Sequence, residues 1–373
     1  MVETEILNSV WRNKLQVLWM NHRCSGNPLA GGAEKNITEV GKYLISRGHE
    51  VHLLTGGWHG ARRHEIIDGT HIHRYGRRAL PHLAHPFYLQ YHKEADVIID
   101  DLAHVVPWFS PWLSQKPGVA LFRHLHARTL KGQTSFPLAA VLAFLERKYP
   151  AIYKSWPFIT HSLQARKDLV GLGIAGDRIT IIPPGVDTNT FHPDKKSRIP
   201  LIVYFGGMRP YKRPEHAILS LKLLIDRGTK AKLVMVGNGP SLPFLQSLVN
   251  EMQLKPFVTF TGRLSERDLA ELVSSAWVNV HCSLSEGWSI SVMEAAASGV
   301  PTVAYRVPGL TESVIDTETG YLVDDGDLAN LAVSLKKVIE MDSAFERSCR
   351  VHSVQYSWDA ISQKWESTLK GIL

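Results

Sequence analysis

Apolar positions along the chain form two alternating patterns. Short unbroken runs, such as LQVLWMN (Leu15–Asn21) and IPLIVYFGG (Ile199–Gly207), suit strands buried on both faces of a parallel sheet. After the first run, Ile37, Val40, Tyr43 and Leu44 recur at helical spacing and predict a helix from about Ala33 to Arg47, stopped by Gly48. EVHLLT (Glu50–Thr55) makes the next strand. This strand–helix–strand opening predicts a parallel, doubly wound sheet with ligands at the carboxyl ends of its strands. HIHRYG (His71–Gly76), ADVIID (Ala95–Asp100), GVALFRH (Gly118–His124) and PFITHS (Pro157–Ser162) continue the series. A second series opens at Ile199, carries a helix from about Pro214 to Asp226, and runs on through KLVMVGNG, VTFTGR, VNVHCS, PTVAYR and GYLV.

The polar, Pro-flanked stretch DTNTFHPDKKSRIP marks a boundary near Thr188–Ile199. We therefore expect one Rossmann-like domain over residues 1–190 and another over 195–354, with residues 355–373 forming a terminal helix. At 373 residues and 44% hydrophobic content, the chain can fill two cores. The longest apolar run, PLAAVLAFL (Pro137–Leu145), is far short of the ~20 residues a membrane span needs. The opening MVETEILNSVWRNK has no basic start and no apolar centre, so no signal peptide is expected. Cys24, Cys282 and Cys349 have no paired spacing and read as reduced thiols of a cytoplasmic protein.

Charge changes the picture in one respect. Residues 1–190 carry 22 Lys and Arg against 15 Asp and Glu, which is the whole of the net +7, and 14 of the 18 histidines. A basic half holding Trp58, Trp108, Trp112 and Trp156 suits an anionic membrane surface or a phosphorylated acceptor. A solvated surface on a basic protein accounts for the same numbers. Nucleic acid is not expected as a partner, because the basic residues are spread out rather than gathered into a tract.

The densest candidate chemistry lies in SEGWSISVMEAAASGVP (Ser285–Pro301). Were Glu286 and Glu294 on one helix, they would sit about 12 Å apart along its axis and roughly 80° apart around it. A better geometry leaves Glu286 in a loop, with Ser289 near the N-cap and Glu294 in the first two turns. Loop amides and the helix start then face an anion, while the carboxylates accept from hydroxyls. Hydroxyls beside phosphate describe a nucleotide sugar. Upstream, Arg209 and Lys212 leave a strand end within three residues of each other, after a Gly-Gly turn that permits close backbone approach.

Taken in order, GGAE (Gly31–Glu34), RGHEVHLLT (Arg47–Thr55), IIPPGVDTNTFHP (Ile181–Pro193), FGGMRPYKRP (Phe205–Pro214), VGNGP (Val236–Pro240), FTGRLS (Phe260–Ser265) and the Glu pair cover most of the chain. Together they resemble the family 4 retaining glycosyltransferases. The resemblance implies the GT-B fold: α/β, two Rossmann-like doubly wound domains facing a central cleft, with the tail YSWDAISQKWESTLK (Tyr356–Lys370) crossing back to the first domain. It also implies that Arg209 and Lys212 hold the donor diphosphate, that Glu286 contacts hydroxyls of the donor sugar, and that Glu294 contacts the ribose. Backbone at Arg263 and Leu264 would hold the base edge, and Gly31 and Gly32 a phosphate or the acceptor. His124, with His126 as fallback, would lie under the reacting sugar.

The implied donor is UDP-, GDP- or ADP-linked, and the acceptor is a glycan or lipid. With two basic residues on the leaving group no metal and no cofactor is expected. Asp325-Gly326-Asp327 has the letters of a metal motif, but it follows GYLV, where the family has a plain turn; Asp100 and Asp101 are expected to line the cleft structurally. The chain departs from the family's Gly-Phe-Gly at Gly287-Trp288-Ser289, which is expected to place a Cβ and a hydroxyl beside the donor sugar. A nucleotide-sugar epimerase and a non-catalytic nucleotide-sugar-binding scaffold are the alternatives.

Overall fold

The computed structural model describes residues 14–77, 82, 89–125 and 136–373. The chain divides into two compact units, one running up to Pro184 and resuming at Trp358–Leu373, the other Gly185–Ser357.

The first unit is built on β1 (Gln16–Met20), β2 (Glu50–Gly57), β3 (His64–Ile67), β4 (Thr70–Arg77), β5 (Val97–Asp101), β6 (Gly118–Phe122), β7 (Phe158–Thr160) and β8 (Ile179–Ile181). Their order is β3-β4-β2-β1-β5-β6-β7-β8, and every pairing is parallel except β3 with β4. β5 and β6 are buried at every position, as strands covered on both faces must be. Helix α1 (Gly32–Ser46) buries the stripe Ile37, Val40 and Leu44. The run Pro137–Leu145 falls in helix α2 (Phe136–Glu146), which leaves Leu138, Val141 and Phe144 exposed.

The hydrophobic runs did not disclose two strands. β8 is only three residues long and ends at Ile181, the first residue of the IIPPGVDTNTFHP motif, and β3 alternates exposed and half-exposed positions. Asp68 and Gly69, at φ +49° and +80°, form the tight turn joining β3 to β4. An Asp-Gly pair between two such runs is a hairpin signal that the sequence did carry.

The terminal helix, Trp358–Lys370, belongs to the first unit. Trp365 packs on Trp19 of β1 with ring centroids 5.2 Å apart, and both side chains are fully buried. Glu366 lies 3.2 Å from Nε2 of His49, whose Nδ1 accepts from the Leu15 amide at 2.9 Å.

The second unit holds a six-stranded sheet. Its strands are β9 (Leu201–Phe205), β10 (Lys232–Val236), β11 (Val258–Gly262), β12 (Val278–His281), β13 (Thr302–Tyr305) and β14 (Gly320–Val323). All are parallel, in the order β11-β10-β9-β12-β13-β14. Helix α3 (Glu215–Asp226) packs Ala217, Ile218, Leu221 and Leu224 into the main core. Helix α4 (Ile290–Ala297) is almost wholly buried.

The division falls ahead of the polar stretch that the sequence marks as a boundary. Phe191 is fully buried against Met293 and Ala297, and Arg350 donates to the carbonyls of Thr188, Phe191 and Ala297 at 2.9 Å each. Polar side chains there hide a main chain bound to the second unit.

Asp100, at the end of β5, is fully buried and accepts from Ser110 Oγ at 2.6 Å and Tyr153 Oη at 3.0 Å. Burial raises its pKa from 3.8 to about 7. The folded chain thus keeps a proton that the unfolded chain loses near pH 3.8, and stability falls as pH rises from about 4 to 7. Asp100→Asn should remove that slope, gaining on the wild type by a few kcal/mol across the window. Urea unfolding at pH 4 and pH 7.5 measures it; parallel pH profiles for the two chains would contradict it.

Candidate active site

Strands β10 and β11 lie on one side of β9, and β12 to β14 lie on the other. The winding reverses between β9 and β12, and in such sheets ligands bind at the carboxyl ends flanking the reversal. The loop leaving β9 carries Arg209 and Lys212; the loop leaving β12 carries Glu286 to Ser289.

These two loops meet in an ion pair. Nζ of Lys212 donates to Oε1 of Glu286 at 2.5 Å, and Ser283 Oγ donates to the same oxygen at 2.7 Å. The two charged side chains keep 18% and 12% of their exposure, so they are largely desolvated yet reachable. Burial pushes the Glu286 carboxyl up, but the Lys212 ammonium, His281 and the hydrogen bonds from Lys212 and Ser283 together hold the carboxyl below its usual range. Burial likewise opposes the charge on Lys212, and Glu286 and Tyr211 together more than restore it. Behind them His281, 3.6 Å from Glu286, is pushed by burial to a pKa of about 4 and stays neutral. Arg209 is exposed on the turn before Lys212, close enough to oppose its charge. Arg213 turns away, donating to the carbonyls of Cys282 and Ser283 and pairing with Asp325.

The strand-end loops are joined main chain to main chain. Gly206 and Met208 amides donate to the carbonyls of Val236 and Asn238 at 3.0 Å, and the Gly237 amide to Gly262 at 2.8 Å. A Cβ at Gly237 would stand 2.0 Å from the Gly206 oxygen, so only glycine fits. Gly309, at φ +80°, admits the Glu286 loop in the same way: its Cβ would lie 2.3 Å from the Glu286 carbonyl oxygen. Arg263 and Leu264 follow β11 on this stitched edge, Arg263 exposed and Leu264 packed partly against Phe205 and Val236.

Ser289 is the N-cap of α4, accepting from the Val292 amide, and lies 3.1 Å from Nε2 of His281. Its side chain is buried, so the hydroxyl expected beside a donor sugar faces inward instead. Next to Gly287, Trp288 packs with its ring centroid 5.1 Å from that of Tyr356, tilted by 43°, over the cluster of Val186, Phe191 and Met293. Glu294 sits in the second turn of α4, also buried.

In the first unit, Gly31 caps α1 and its amide donates to Oε2 of Glu34 at 2.7 Å; Gly32 opens the helix, and both glycines are exposed. The Glu34 carboxylate also meets Arg23 at 3.2 Å. His124 stands half-buried two residues past β6, and His126 lies outside the described residues. Arg123 clamps Asp101 through two bonds of 3.0 and 2.6 Å and reaches Nε2 of His161 at 3.1 Å. Asp327 is the N-cap of the helix after its turn, accepting from the Asn330 amide. Sequence reasoning missed His281, Ser283 and His161. His281 closes β12, His161 directly follows β7 and Ser283 comes two residues after β12, which was the available signal.

Glu286→Gln leaves the Lys212 ammonium without its counter-charge and should cost about 3 kcal/mol. Adding Lys212→Met should restore most of the loss. A double-mutant cycle by urea denaturation decides it, and strictly additive losses would mean that the pair is not coupled.

Comparison with known proteins fits this geometry. The profile described as "Glycosyltransferase Family 4" matches residues 30–190, and that described as "Glycosyl transferases group 1" matches residues 186–352. The chain is 29% identical to a D-inositol 3-phosphate glycosyltransferase of Acidothermus cellulolyticus, over 58% of this chain and 51% of that protein. A protein of the same description from Thermomonospora curvata is 27% identical over 89% of this chain and 88% of its own. The chain thus spans about half the length of the first relative and most of the second. Among solved structures, Anabaena HepE in complex with UDP-glucose superposes with a TM-score of 0.75, at 18% identity, over 96% of this chain and all of that one. With two parallel α/β units of GT-B type and both halves matched in order, the chain belongs to the family 4 glycosyltransferases.

Proposed function

We propose that the protein is a retaining glycosyltransferase that moves a sugar from a nucleotide-sugar donor to a hydroxyl of a lipid-linked or polysaccharide precursor. The observation that carries this reading is the Lys212–Glu286 pair, with Arg209 beside it, at the winding reversal of the second unit. An ionised, acceptor-only carboxylate suits sugar hydroxyls, and the adjoining cations suit a diphosphate.

In the reaction the bond between the anomeric carbon and the phosphate oxygen breaks, and negative charge grows on the departing diphosphate. Arg209 and Lys212 stabilise that charge. The acceptor oxygen bonds to the anomeric carbon on the face the diphosphate leaves, and its proton passes to a diphosphate oxygen. His124 is assigned a place under the sugar, Glu294 the ribose, Arg263 and Leu264 the base edge, and Gly31 and Gly32 the acceptor side. Two adjacent positive side chains support a metal-independent reaction, because they supply the charge a divalent ion would bring.

The same reading has the enzyme cytoplasmic and peripheral on the membrane. Leu138, Val141 and Phe144 stand exposed along one side of α2, and exposed Arg147 and Lys148 follow directly, which supports an anionic surface as partner. Among the described residues no helix is long and apolar enough to cross a membrane.

A thermal-shift screen of UDP, GDP, ADP and TDP with their sugar conjugates tests the donor site. One base should raise the melting temperature by an amount set by its occupancy, unchanged by EDTA and lost in Arg209→Ala or Glu294→Ala. No shift with any nucleotide would sink the transferase reading, and a shift abolished by EDTA would sink metal independence. Co-sedimentation with vesicles should rise with anionic lipid and fall with salt. Binding indifferent to both would remove the electrostatic attachment.

A further inference from the structure

The first unit has an open cavity of about 610 Å³ at the carboxyl ends of β2 and β4, apart from the residues placed at the donor site. Its origin is local. β2 slips register against β4 between Thr55 and Gly57, and the Gly57 Cα comes so near the Gly76 oxygen that a Cβ would lie 3.3 Å from it. With glycine at both positions the floor carries no side chains there.

The walls are aromatic and basic. Arg74 is buried beneath the Trp58 ring, 4.8 Å from its centroid. It is fixed there by Glu65 at 2.8 Å, the Arg62 carbonyl at 2.9 Å and Cys24 Sγ at 3.4 Å. Its Nε is buried with no hydrogen-bond partner among the described residues. Because Arg74 is held, it holds Trp58. Arg63 lies 4.5 Å over the Tyr75 ring, is exposed, and makes no ion pair among the described residues. Among the described residues no carboxylate lines the cavity.

We infer that this pocket binds an anionic saccharide, the charged sugar of the acceptor. Half-buried Trp58 and Tyr75 offer rings to the apolar faces of a sugar, and the exposed Arg63 fork, in no ion pair among the described residues, matches a phosphate or carboxylate. The volume is that of a small-ligand site. The pocket opens at the same sheet end as Gly31, Gly32 and His124, where the first unit would take an acceptor. The assignment to the acceptor rests on the transferase reading above; the pocket's preference for an anionic sugar does not.

Isothermal titration of the full chain with glucose 6-phosphate, glucuronate, glucose and inorganic phosphate tests it, with no nucleotide present. The two anionic sugars should bind more tightly than either glucose or phosphate alone. Arg63→Ala should weaken the anionic sugars by about tenfold or more and leave glucose nearly unchanged. Trp58→Ala should weaken every sugar and spare inorganic phosphate. An unchanged melting temperature of each ligand-free variant certifies its fold; Arg63 is exposed and Trp58 half-buried. The inference falls if no sugar binds, if glucose or phosphate binds as tightly as glucose 6-phosphate, or if Arg63→Ala changes nothing. A nucleotide-induced thermal shift that survives those failures would leave the transferase reading standing, and its absence beside successful titrations would leave the pocket standing.

Discussion

Much of the second unit is arranged around a charge that has lost most of its water. Lys212 and Glu286 come from loops 74 residues apart in sequence, yet neither is tolerable in its place without the other. Their meeting requires β9 and β12 to be neighbours, their loops to leave at the same end, and the backbones on either side to approach within contact distance. Gly237 and Gly309 satisfy the last requirement, and Ser283 and His281 complete the surroundings of the carboxylate. The sheet order and the loop glycines therefore serve one electrostatic arrangement.

Parallel strands announce themselves because both of their faces are buried, so LIVYF and GVALF read as strands with no alternation to interpret. β3 was illegible for the opposite reason. HEII is half exposed, and its only clear mark is the Asp68-Gly69 turn. The polar stretch after Gly185 misled because composition reports side chains. There the carbonyls, gripped by Arg350, decide which unit the segment joins.

The donor-site candidates were legible as motifs, but their surroundings were not. Arg209, Lys212 and Glu286 stand in recognisable local patterns. His281 and Ser283 matter only through what the fold sets beside them. The Gly287-Trp288-Ser289 departure shows the limit most clearly: comparison with the family's Gly-Phe-Gly led to the expectation of a hydroxyl beside the sugar, whereas capping and the contact with His281 turn it into the protein. In the first unit, Arg123 stands beside His124 with no motif to mark it, yet it neutralises Asp101 and adds to the burial that keeps His161 neutral.

The contact between Glu34 and the Gly31 amide has a consequence for any anion arriving at α1. That helix end already holds a carboxylate tethered three residues away and steadied by Arg23. A tethered group competes at an effective concentration in the millimolar range or above. Only a newcomer offering more than one negative charge, or one anchored elsewhere at the same time, can displace it. The occupied helix end thus acts as a threshold that lets stray monovalent anions pass without binding.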